Sequence, residues 1–444
     1  YVVWDPQVRE SLVVAYTVAG TRDALVVTAG QVPLMKKHGL PELENLNGRF
    51  RGWPPAKIYS WAREELFGQC NRSAIVWAGG DCHNAMKPGV MDFGVSNRAF
   101  FTDLDTRVES ADEYPLATEI LGEMEGDFLV MGWHSYCKDY EHTFTTLASS
   151  HGGRVHGLNT NPNLSFMTHV KLPANYTFKN NHSPGLEWER PEQRESSRSD
   201  SSSSYAVDKE VFITLVQTDG LGLGAWNKEG RGVLPYAWEV MMPDLEIQPV
   251  LLEMFYEQAT PNDTFVAALS GPGYIYPKAV PPSILPSRLL ATERSMRTLD
   301  LHHLVAFDAS ATHGEHTVTG DTTLSESVVR QYFQLNRTDI NGFLNGYGPT
   351  FTNVYDSASN RSLLSFDYYL DPERSVDEAV ADIEMLAQLN KRRPYFLPIH
   401  VREWSTVMKV EQIMAKLNPA TYEVVPIDRF FRLANQYHTF LTRY

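Results

Sequence analysis

Acidic side chains recur in the second half of the chain where predicted strands end. Asp219, Asp308 and Asp367 each follow or close an apolar run of strand length, and His400 and Glu403 follow the last of these runs. A carboxyl group, or a His three residues from a Glu, can donate or accept a proton at a reacting atom. Because parallel strands end at one edge of a sheet, the spacing predicts that these groups line one acid–base site.

Each of these residues also has a structural interpretation. An Asp before a Gly, as in Asp219-Gly220, often bonds the backbone of its own turn. His400 and Glu403 could form an ion pair at the surface. Glu141, in the first half of the chain, opens a predicted helix. There we expect a structural role, because a carboxylate at a helix start stabilises the helix macrodipole.

An aromatic loop follows another predicted strand. Residues 270–282 read SGPGYIYPKAVPP, in which the glycines permit tight turns or close approach and the prolines stiffen the chain. Tyr274 and Tyr276 are therefore predicted to lie on a rigid loop and to contact a ligand. Packing of both rings on the core is the alternative interpretation. Three tryptophans near predicted strand ends are further candidates for stacking on a ligand: Trp226, Trp238 and Trp404.

The same loop reads Gly-x-Gly-Tyr-x-Tyr-Pro and resembles the signature of the GxGYxYP family, which is described as glycoside hydrolases. Other segments along nearly the whole chain look similar to the family: GWHSYCKDYE, NLSF, VFITLVQTDG, YAWEVMMPDL and PIHVREW. The resemblance implies an N-terminal α/β region, a C-terminal barrel-like domain, a carbohydrate partner and hydrolysis of a glycosidic bond. Asp219 and one of Asp308, Asp367 or Glu403 would then be the two carboxyl groups that such hydrolysis requires.

One departure from the family pattern keeps a second interpretation open. After its first barrel strand the family tends to have Asp-Gly-Asp-Asn, whereas this chain has Asp219, Gly220, Leu221 and Gly222. An acidic group and an amide are therefore missing where polar chemistry is expected. The alternative is a non-catalytic extracellular glycoprotein, structural or carbohydrate-binding, that retains the fold and self-associates in an extracellular assembly.

Strand candidates alternate with amphipathic helices through most of the 444 residues, a pattern typical of α/β proteins with parallel sheets. The predicted organisation is a Rossmann-like α/β domain (1–190), a serine-rich linker or loop (191–205) and a (β/α) barrel-like domain (206–444). No glycine-rich phosphate loop follows the first predicted strand, so a nucleotide site lacks its central feature.

Charge and glycosylation motifs restrict the partners and the compartment. The net charge of −15 argues against a nucleic-acid partner, and the sequence has no apolar run long enough to span a bilayer. The chain starts at Tyr1 rather than Met, so we expect a removed signal peptide and a secreted protein. Acceptor motifs for N-glycosylation favour the same compartment. Glycans are expected at Asn71, Asn163, Asn175, Asn262, Asn336 and Asn360.

Cysteines and histidines give weaker indications. Cys70 and Cys82 are close enough in sequence to pair, which would leave Cys137 free or buried. The run HGEH at residues 313–316 lacks the HExxH spacing that places two histidines on one helix face around zinc. Neither a metal ion nor another cofactor is therefore predicted.

Overall fold

The structure is a computed structural model that describes residues 1–80, 88–157, 163–182, 209–219, 221, 224–310, 322–337, 339–347, 350–402 and 404–443. The predicted linker at 191–205 and the HGEH run lie outside these ranges, as does Cys82. Among the described residues, no helix is both long and apolar enough to cross a membrane.

The first 70 residues form a small parallel sheet with three helices. The strand order is β2-β1-β3. Its elements are β1 (Val2–Val3), α1 (Arg9–Arg22), β2 (Val26–Val27), α2 (Val32–Lys37), β3 (Glu44–Asn45) and α3 (Pro55–Leu66). Short 3-10 turns follow β2 and α3, at Ala29–Gln31 and Phe67–Gln69.

A second, four-stranded parallel sheet follows, with the strand order β5-β4-β6-β7. Its elements are β4 (Ala74–Gly80), α4 (Pro88–Ser96), β5 (Phe100–Thr102), α5 (Glu113–Gly122), β6 (Leu129–Ser135), α6 (Glu141–Ser150), β7 (Arg154–His156) and α7 (Leu164–Met167). The region predicted as one Rossmann-like domain thus contains two separate sheets, both parallel.

The third sheet has ten strands in the order β13-β14-β12-β11-β10-β9-β8-β16-β15, with β17 also paired to β8. All pairs are parallel except β13 with β14. The elements are β8 (Val211–Gln217), β9 (Tyr236–Met241), α8 (Asp244–Ile247), α9 (Pro249–Glu257), β10 (Asp263–Ala268), α10 (Leu285–Thr298), β11 (His303–Ala306), α11 (Glu326–Phe333), β12 (Gly342–Asn345), β13 (Val354–Asp356), β14 (Arg361–Ser365), β15 (Tyr368–Leu370), α12 (Val376–Leu389), β16 (Tyr395–Val401), α13 (Val407–Lys416), β17 (Tyr422–Val424) and α14 (Ile427–Tyr437). Two 3-10 turns lie at Ala225–Asn227 and Thr439–Thr442.

The predicted barrel does not close within the described residues, because the strand path ends at β13 and at β15 without a pair between its two ends. The last helix, α14, packs on the face of the sheet that a closed barrel would turn inward. Phe431 fills the space that Gly342 leaves: a Cβ on Gly342 would lie 2.1 Å from Cδ1 of Phe431. A helix in this position takes the place of side chains that would otherwise meet across a closed ring.

The two faces of the third sheet have different neighbours. Ile213 and Trp238 belong to a core under the surrounding helices. Phe212 and Leu344 lie on the other side, the inner face, in a hydrophobic cluster that also includes α14 and the core of the first two sheets. The parts before and after residues 183–208 therefore share one continuous core.

Candidate active site between the second and third sheets

Asp219 lies two residues after β8, at the carboxyl-terminal edge of the third sheet. Its backbone is in the left-handed region, with φ of 54°. Its side chain is about one-third exposed, and Oδ2 lies 3.9 Å from Nη2 of Arg402. Its backbone N–H donates to Oε2 of Glu239 at 3.3 Å. The predicted carboxylate is thus held at a strand end by two further polar side chains.

Glu239 is a buried acid that the sequence interpretation missed. It alternates with Trp238 along β9 and so lies on the inner face, where it is only 3% exposed. The hydroxyl of Tyr347 donates to the same Oε2 that accepts from Asp219. Burial, and next the charge of Asp219, raise the pKa of Glu239 well above its usual range. A protonated, neutral Glu239 follows. A lone acid inside the apolar run YAWEVMM was the signal for it.

Three residues in the left-handed region surround this edge. Asp219, Ser270 and Tyr347 have φ values of 54°, 65° and 79° and follow β8, β10 and β12 respectively. Such conformations cost about 1–3 kcal/mol each for residues other than Gly, and they persist only where neighbouring contacts hold them. For Ser270 these contacts are visible: Oγ donates to the carbonyl of Phe307 at 2.7 Å, and its own carbonyl accepts from Tyr332 at 2.6 Å.

The loop at residues 270–277, called the motif loop below, joins the third sheet to the second. Tyr274 exchanges two backbone hydrogen bonds with Val155 of β7, at 2.8 and 2.9 Å. The N–H of Tyr276 donates to Oγ of Ser149 at 2.9 Å. Both glycines are required by close approach. A Cβ on Gly271 would lie 2.4 Å from Ile275, and one on Gly273 would lie 3.0 Å from Cβ of Arg154.

This joint brings Glu141 to the site. The hydroxyl of Tyr274 donates to Oε1 of Glu141 at 2.6 Å and lies 3.0 Å from the hydroxyl of Tyr276. Glu141 does open α6, as predicted, but its carboxyl group has this additional contact. Desolvation of the carboxyl group raises the pKa of Glu141, the hydrogen bond from Tyr274 and the charge of His134 lower it, and the charge of Asp219 raises it. The residue still keeps solvent access. Glu141 and Asp219 therefore share one electrostatic environment.

Three residues at the carboxyl-terminal end of β16 complete the edge: His400 lies within the strand, and Arg402 and Trp404 follow it. The guanidinium carbon of Arg402 lies 4.5 Å above the ring of Trp404, and that ring is 59% exposed. His400 is buried, and its Nε2 lies 2.7 Å from Oγ1 of Thr218. Burial lowers the pKa of His400 well below its usual range, so its ring is neutral. His400 thus supports the segment before Asp219, while Trp404 faces solvent.

The other predicted acids have different neighbours. Asp308 is buried and accepts from the N–H groups of Lys278 and Ser310 at 2.6 and 2.9 Å, which fixes the chain after the motif loop. Burial raises its pKa. Asp367 accepts from the hydroxyl of Tyr395, and Arg443 lies 3.6 Å away. Glu403 lies outside the described residues. Catalytic roles for these three acids stay predictions.

The other aromatic residues that were predicted to contact a ligand are buried. Trp226 and Trp238 lie in the core on the opposite side of the sheet from Glu239, where their N–H groups donate to Gln258 and Asp263 at 3.1 and 2.8 Å. The rings of Tyr274 and Tyr276 are 3% and 1% exposed. The structure therefore shows these two tyrosines supporting Glu141, and their contact with a ligand stays a prediction.

The asparagines that were predicted to carry glycans differ in exposure. Asn163, Asn175, Asn336 and Asn360 are exposed, whereas Asn71 and Asn262 are half-buried.

Cys70 is free and buried, and Cys137 is disulfide-bonded. The predicted pairing of Cys70 is therefore wrong. Its position under the 3-10 turn at Phe67–Gln69 keeps its thiol in the core, and burial raises its pKa to about 12.

The three sheets correspond to stretches that match family models. Residues 209–435 match the GxGYxYP putative glycoside hydrolase C-terminal domain, residues 72–169 the GxGYxYP third domain, and residues 1–70 the GxGYxYP_N second domain. The chain belongs to the GxGYxYP family. The motif loop carries the family signature and, in this structure, forms the joint between two of its domains.

One solved structure resembles the whole fold. It is described as a putative hydrolase from Bacteroides thetaiotaomicron VPI-5482, with a TM-score of 0.73 and 17% sequence identity over 98% of this chain and 80% of that one. At this identity the likeness establishes the fold and not the reaction. Comparison with curated proteins gave no match.

Proposed function

We propose that this GxGYxYP protein is a secreted glycoside hydrolase whose reacting groups come from two domains. Glu141 of the second sheet is the general acid, and Asp219 of the third sheet is the nucleophile or base. The observation that supports this assignment is the hydrogen bond from Tyr274 to Glu141, because it holds the acid within reach of the electrostatic influence of Asp219.

The two carboxyl groups have the environments that the reaction requires. Glycoside hydrolysis needs one protonated carboxyl group for the leaving oxygen and one ionised group on the other side of the scissile bond. The raised pKa of Glu141 favours the protonated form. Asp219 pairs with the positive charge of Arg402. Glu239 is too deeply buried to contact a substrate, so we assign it a positioning role through its bond to the N–H of Asp219.

Trp404 provides the contact surface that suits a sugar. An exposed indole ring can pack against the C–H groups of a sugar ring while the flanking polar groups bind hydroxyls. Its ring lies beside Arg402, which in turn pairs with Asp219. A carbohydrate bound on Trp404 would therefore lie next to the proposed nucleophile or base.

Secretion and N-glycosylation belong to the same proposal. The exposed acceptor residues Asn163, Asn175, Asn336 and Asn360 are accessible to a glycan. The disulfide at Cys137 supports an oxidising compartment, where such bonds form and persist. Cys137 also lies in the loop that leads to Glu141, so the cross-link restrains the segment that carries the acid.

The leaving group distinguishes the proposed roles. Natural-type methyl glycosides need a proton from the acid, whereas dinitrophenyl glycosides do not. Across a panel of both, Glu141→Gln should slow methyl glycosides about 10²–10⁴-fold and leave dinitrophenyl glycosides little changed. Asp219→Asn should slow both. Glu326→Gln, an exposed acid on α11, is the matched control and should behave as wild type. Equal losses on both leaving groups in Glu141→Gln would remove the assigned role.

A second function is supported by one local feature. Leu221, which stands where the family tends to have an acid, is buried in the hydrophobic cluster that also contains Trp226. A carbohydrate-binding or structural glycoprotein that lost its chemistry would show this replacement. If the unmodified protein binds glycans on an array but cleaves none of the panel, this second function replaces the first.

A further inference from the structure

A cluster of histidines and aspartates lies at the amino-terminal ends of the strands, opposite the candidate active site. His303 begins β11, and Asp428 lies in the first turn of α14. His182 ends the described segment 163–182, and His302 and Asp300 belong to the turn before β11. Three parts of the chain that are distant in sequence therefore meet at one place.

The donor atoms of this cluster are close enough to share one ion. His182, His302 and Asp428 each offer a ligand atom, and these atoms all lie within 4.8 Å of one another. Nδ1 of His182 lies 3.5 Å from Oδ2 of Asp428, which is long for a hydrogen bond. Two ligands bound tetrahedrally to zinc lie roughly 3.3–3.5 Å apart, so this pair fits. The rings of His182 and His302 are stacked, with centroids 3.9 Å apart and an interplanar angle of 6°, so His302 must turn its ring toward the ion as well as approach it.

The surroundings of His182 match those of a metal-bound histidine. Its Nε2 lies 3.1 Å from Oδ2 of Asp300, which also accepts from the N–H of Asn180 at 2.9 Å. A carboxylate on one ring nitrogen fixes the tautomer in which the other nitrogen presents its lone pair, and this arrangement is usual behind metal ligands. Here that other nitrogen is Nδ1, which faces Asp428.

A buried histidine provides a second, independent observation. His303 is 1% exposed, and its Nε2 has no hydrogen-bond partner among the residues that the structure describes. That nitrogen lies 3.6 Å from Oδ1 of Asp428. A buried polar atom without a hydrogen bond costs free energy unless something at the site compensates for it. A cation bound by Asp428 would lie near Nε2 of His303, and the lone pair of this nitrogen could then approach the cation.

We propose that His182, His302 and Asp428 form a structural site for a divalent transition-metal ion, with Zn²⁺ as the preferred ion. Imidazole nitrogens with one carboxylate are donors that zinc prefers. The bound ion would balance the negative charges of Asp300 and Asp428, whereas the third carboxylate near the cluster, Asp339, is already paired with Arg337. It would attach the segment around His182 to the turn before β11 and to the first turn of α14.

A proton is the competitor of the metal at this site. Although burial lowers it, hydrogen bonding to Asp300 and the charge of Asp428 raise the pKa of His182 to about 9. Without a metal ion, a charged His182 would balance the same carboxylates. The two occupants differ in stoichiometry and in spectrum, so they can be distinguished directly.

The test uses the full chain after treatment with EDTA. Titration with Zn²⁺ alone should give about one bound ion per chain by elemental analysis and should raise the melting temperature. Co²⁺ should give the visible absorption bands of a tetrahedral site. His182→Ala and His302→Ala should each weaken zinc affinity at least about 100-fold. His169→Ala, which removes an exposed histidine, is the matched control and should bind as wild type.

Two results would overturn the site. The first is wild-type protein that binds no Zn²⁺ at micromolar free ion. The second is equal affinity in His302→Ala and His169→Ala. The titration of the wild-type protein is by itself sufficient to show whether the site binds Zn²⁺, so the test does not depend on the folding of a variant. The proposal is independent of glycoside hydrolysis, since the cluster shares no residue with the candidate active site.

Discussion

Tyr274 donates a hydrogen bond of 2.6 Å to Glu141, although 133 residues separate them in the chain. The tyrosine belongs to the signature of the GxGYxYP family, and the glutamate opens a helix of a different domain. The contact explains why the signature contains tyrosine and glycine together. Gly273 lets the motif loop approach β7, Gly271 makes room for Ile275 within the loop, and the hydroxyl of Tyr274 then reaches the acid.

Removing this hydroxyl should change the pH dependence of activity. Tyr274 lowers the pKa of Glu141, so in Tyr274→Phe that pKa rises further. A general acid works while protonated, and the alkaline limb of kcat/KM should therefore move to higher pH. A misplaced acid should also lower kcat by about 10-fold or more. Tyr368→Phe, which removes a comparable bond to Asp382, is the control. An unmoved alkaline limb in Tyr274→Phe would contradict the assignment of the acid.

Replacing Glu239 by a residue that cannot ionise should stabilise the protein at neutral pH. The pKa of Glu239 in the folded protein is raised above the unfolded value of 4.5. Glu239 therefore contributes fully to the free energy of unfolding only below pH 4.5, and this contribution is lost as the pH rises from 4.5 through the folded pKa. Glu239→Gln keeps an acceptor for Tyr347 and removes this loss. Thermal unfolding should show a melting temperature higher by a few degrees at pH ~7 and a smaller difference near pH ~4. A destabilised variant at neutral pH, with Glu326→Gln unchanged, would contradict this prediction.

The joint should be sensitive to a single methyl group. In Gly273→Ala the new Cβ would meet Arg154, Pro243 and the carbonyl of Val155 at 3.0–3.3 Å. Overpacking of this kind costs about 1–3 kcal/mol. Hydrogen exchange in β7 should become faster, and activity should fall with it. Gly68→Ala is the matched control, because a Cβ there would meet no atom within 4 Å. Equal exchange rates in the two variants would mean that the motif loop does not hold the domains together.

Glycan mapping should follow exposure. Asn163, Asn175, Asn336 and Asn360 should carry sugar when the protein is made in a secretory pathway. Asn181 should stay bare although it lies in an acceptor motif, since its amide nitrogen donates to the carbonyls of Thr260 and Asp263 at 2.7 and 2.9 Å. Mass spectrometry of glycopeptides measures each position. A glycan on Asn181 would contradict the prediction that glycosylation follows exposure. If none of the asparagines carried a glycan, the main support for secretion would be removed.

The sequence predicts much of the fold because its signals are local. Apolar runs such as β4 and β6 identify strands, and their alternation with helices predicts parallel sheets. The family resemblance, carried by the motif loop, is confirmed. The open form of the third sheet could not be predicted, since it depends on the packing of Phe431 of α14 against Gly342, which lies 89 residues earlier in the sequence.

The candidate site was predictable only in part. Asp219 could be identified as a candidate because a strand end positions it, and Trp404 because it lies three residues after β16. Glu141 could not, since its importance comes from a distant tyrosine rather than from its own helix. Glu239 has a local signal, a charge among apolar strand residues, but only the structure shows that its partner is the backbone of Asp219.

The joint between β7 and the motif loop has a mechanical consequence. If one domain supplies the proton donor and another the nucleophile or base, the gap between them is set by how the domains are docked, not by either active-site residue. A rotation of a few degrees about Val155 and Tyr274 would widen or narrow the gap while both sheets stayed intact. Changes in the residues around this joint would therefore adapt the gap to sugars of different size.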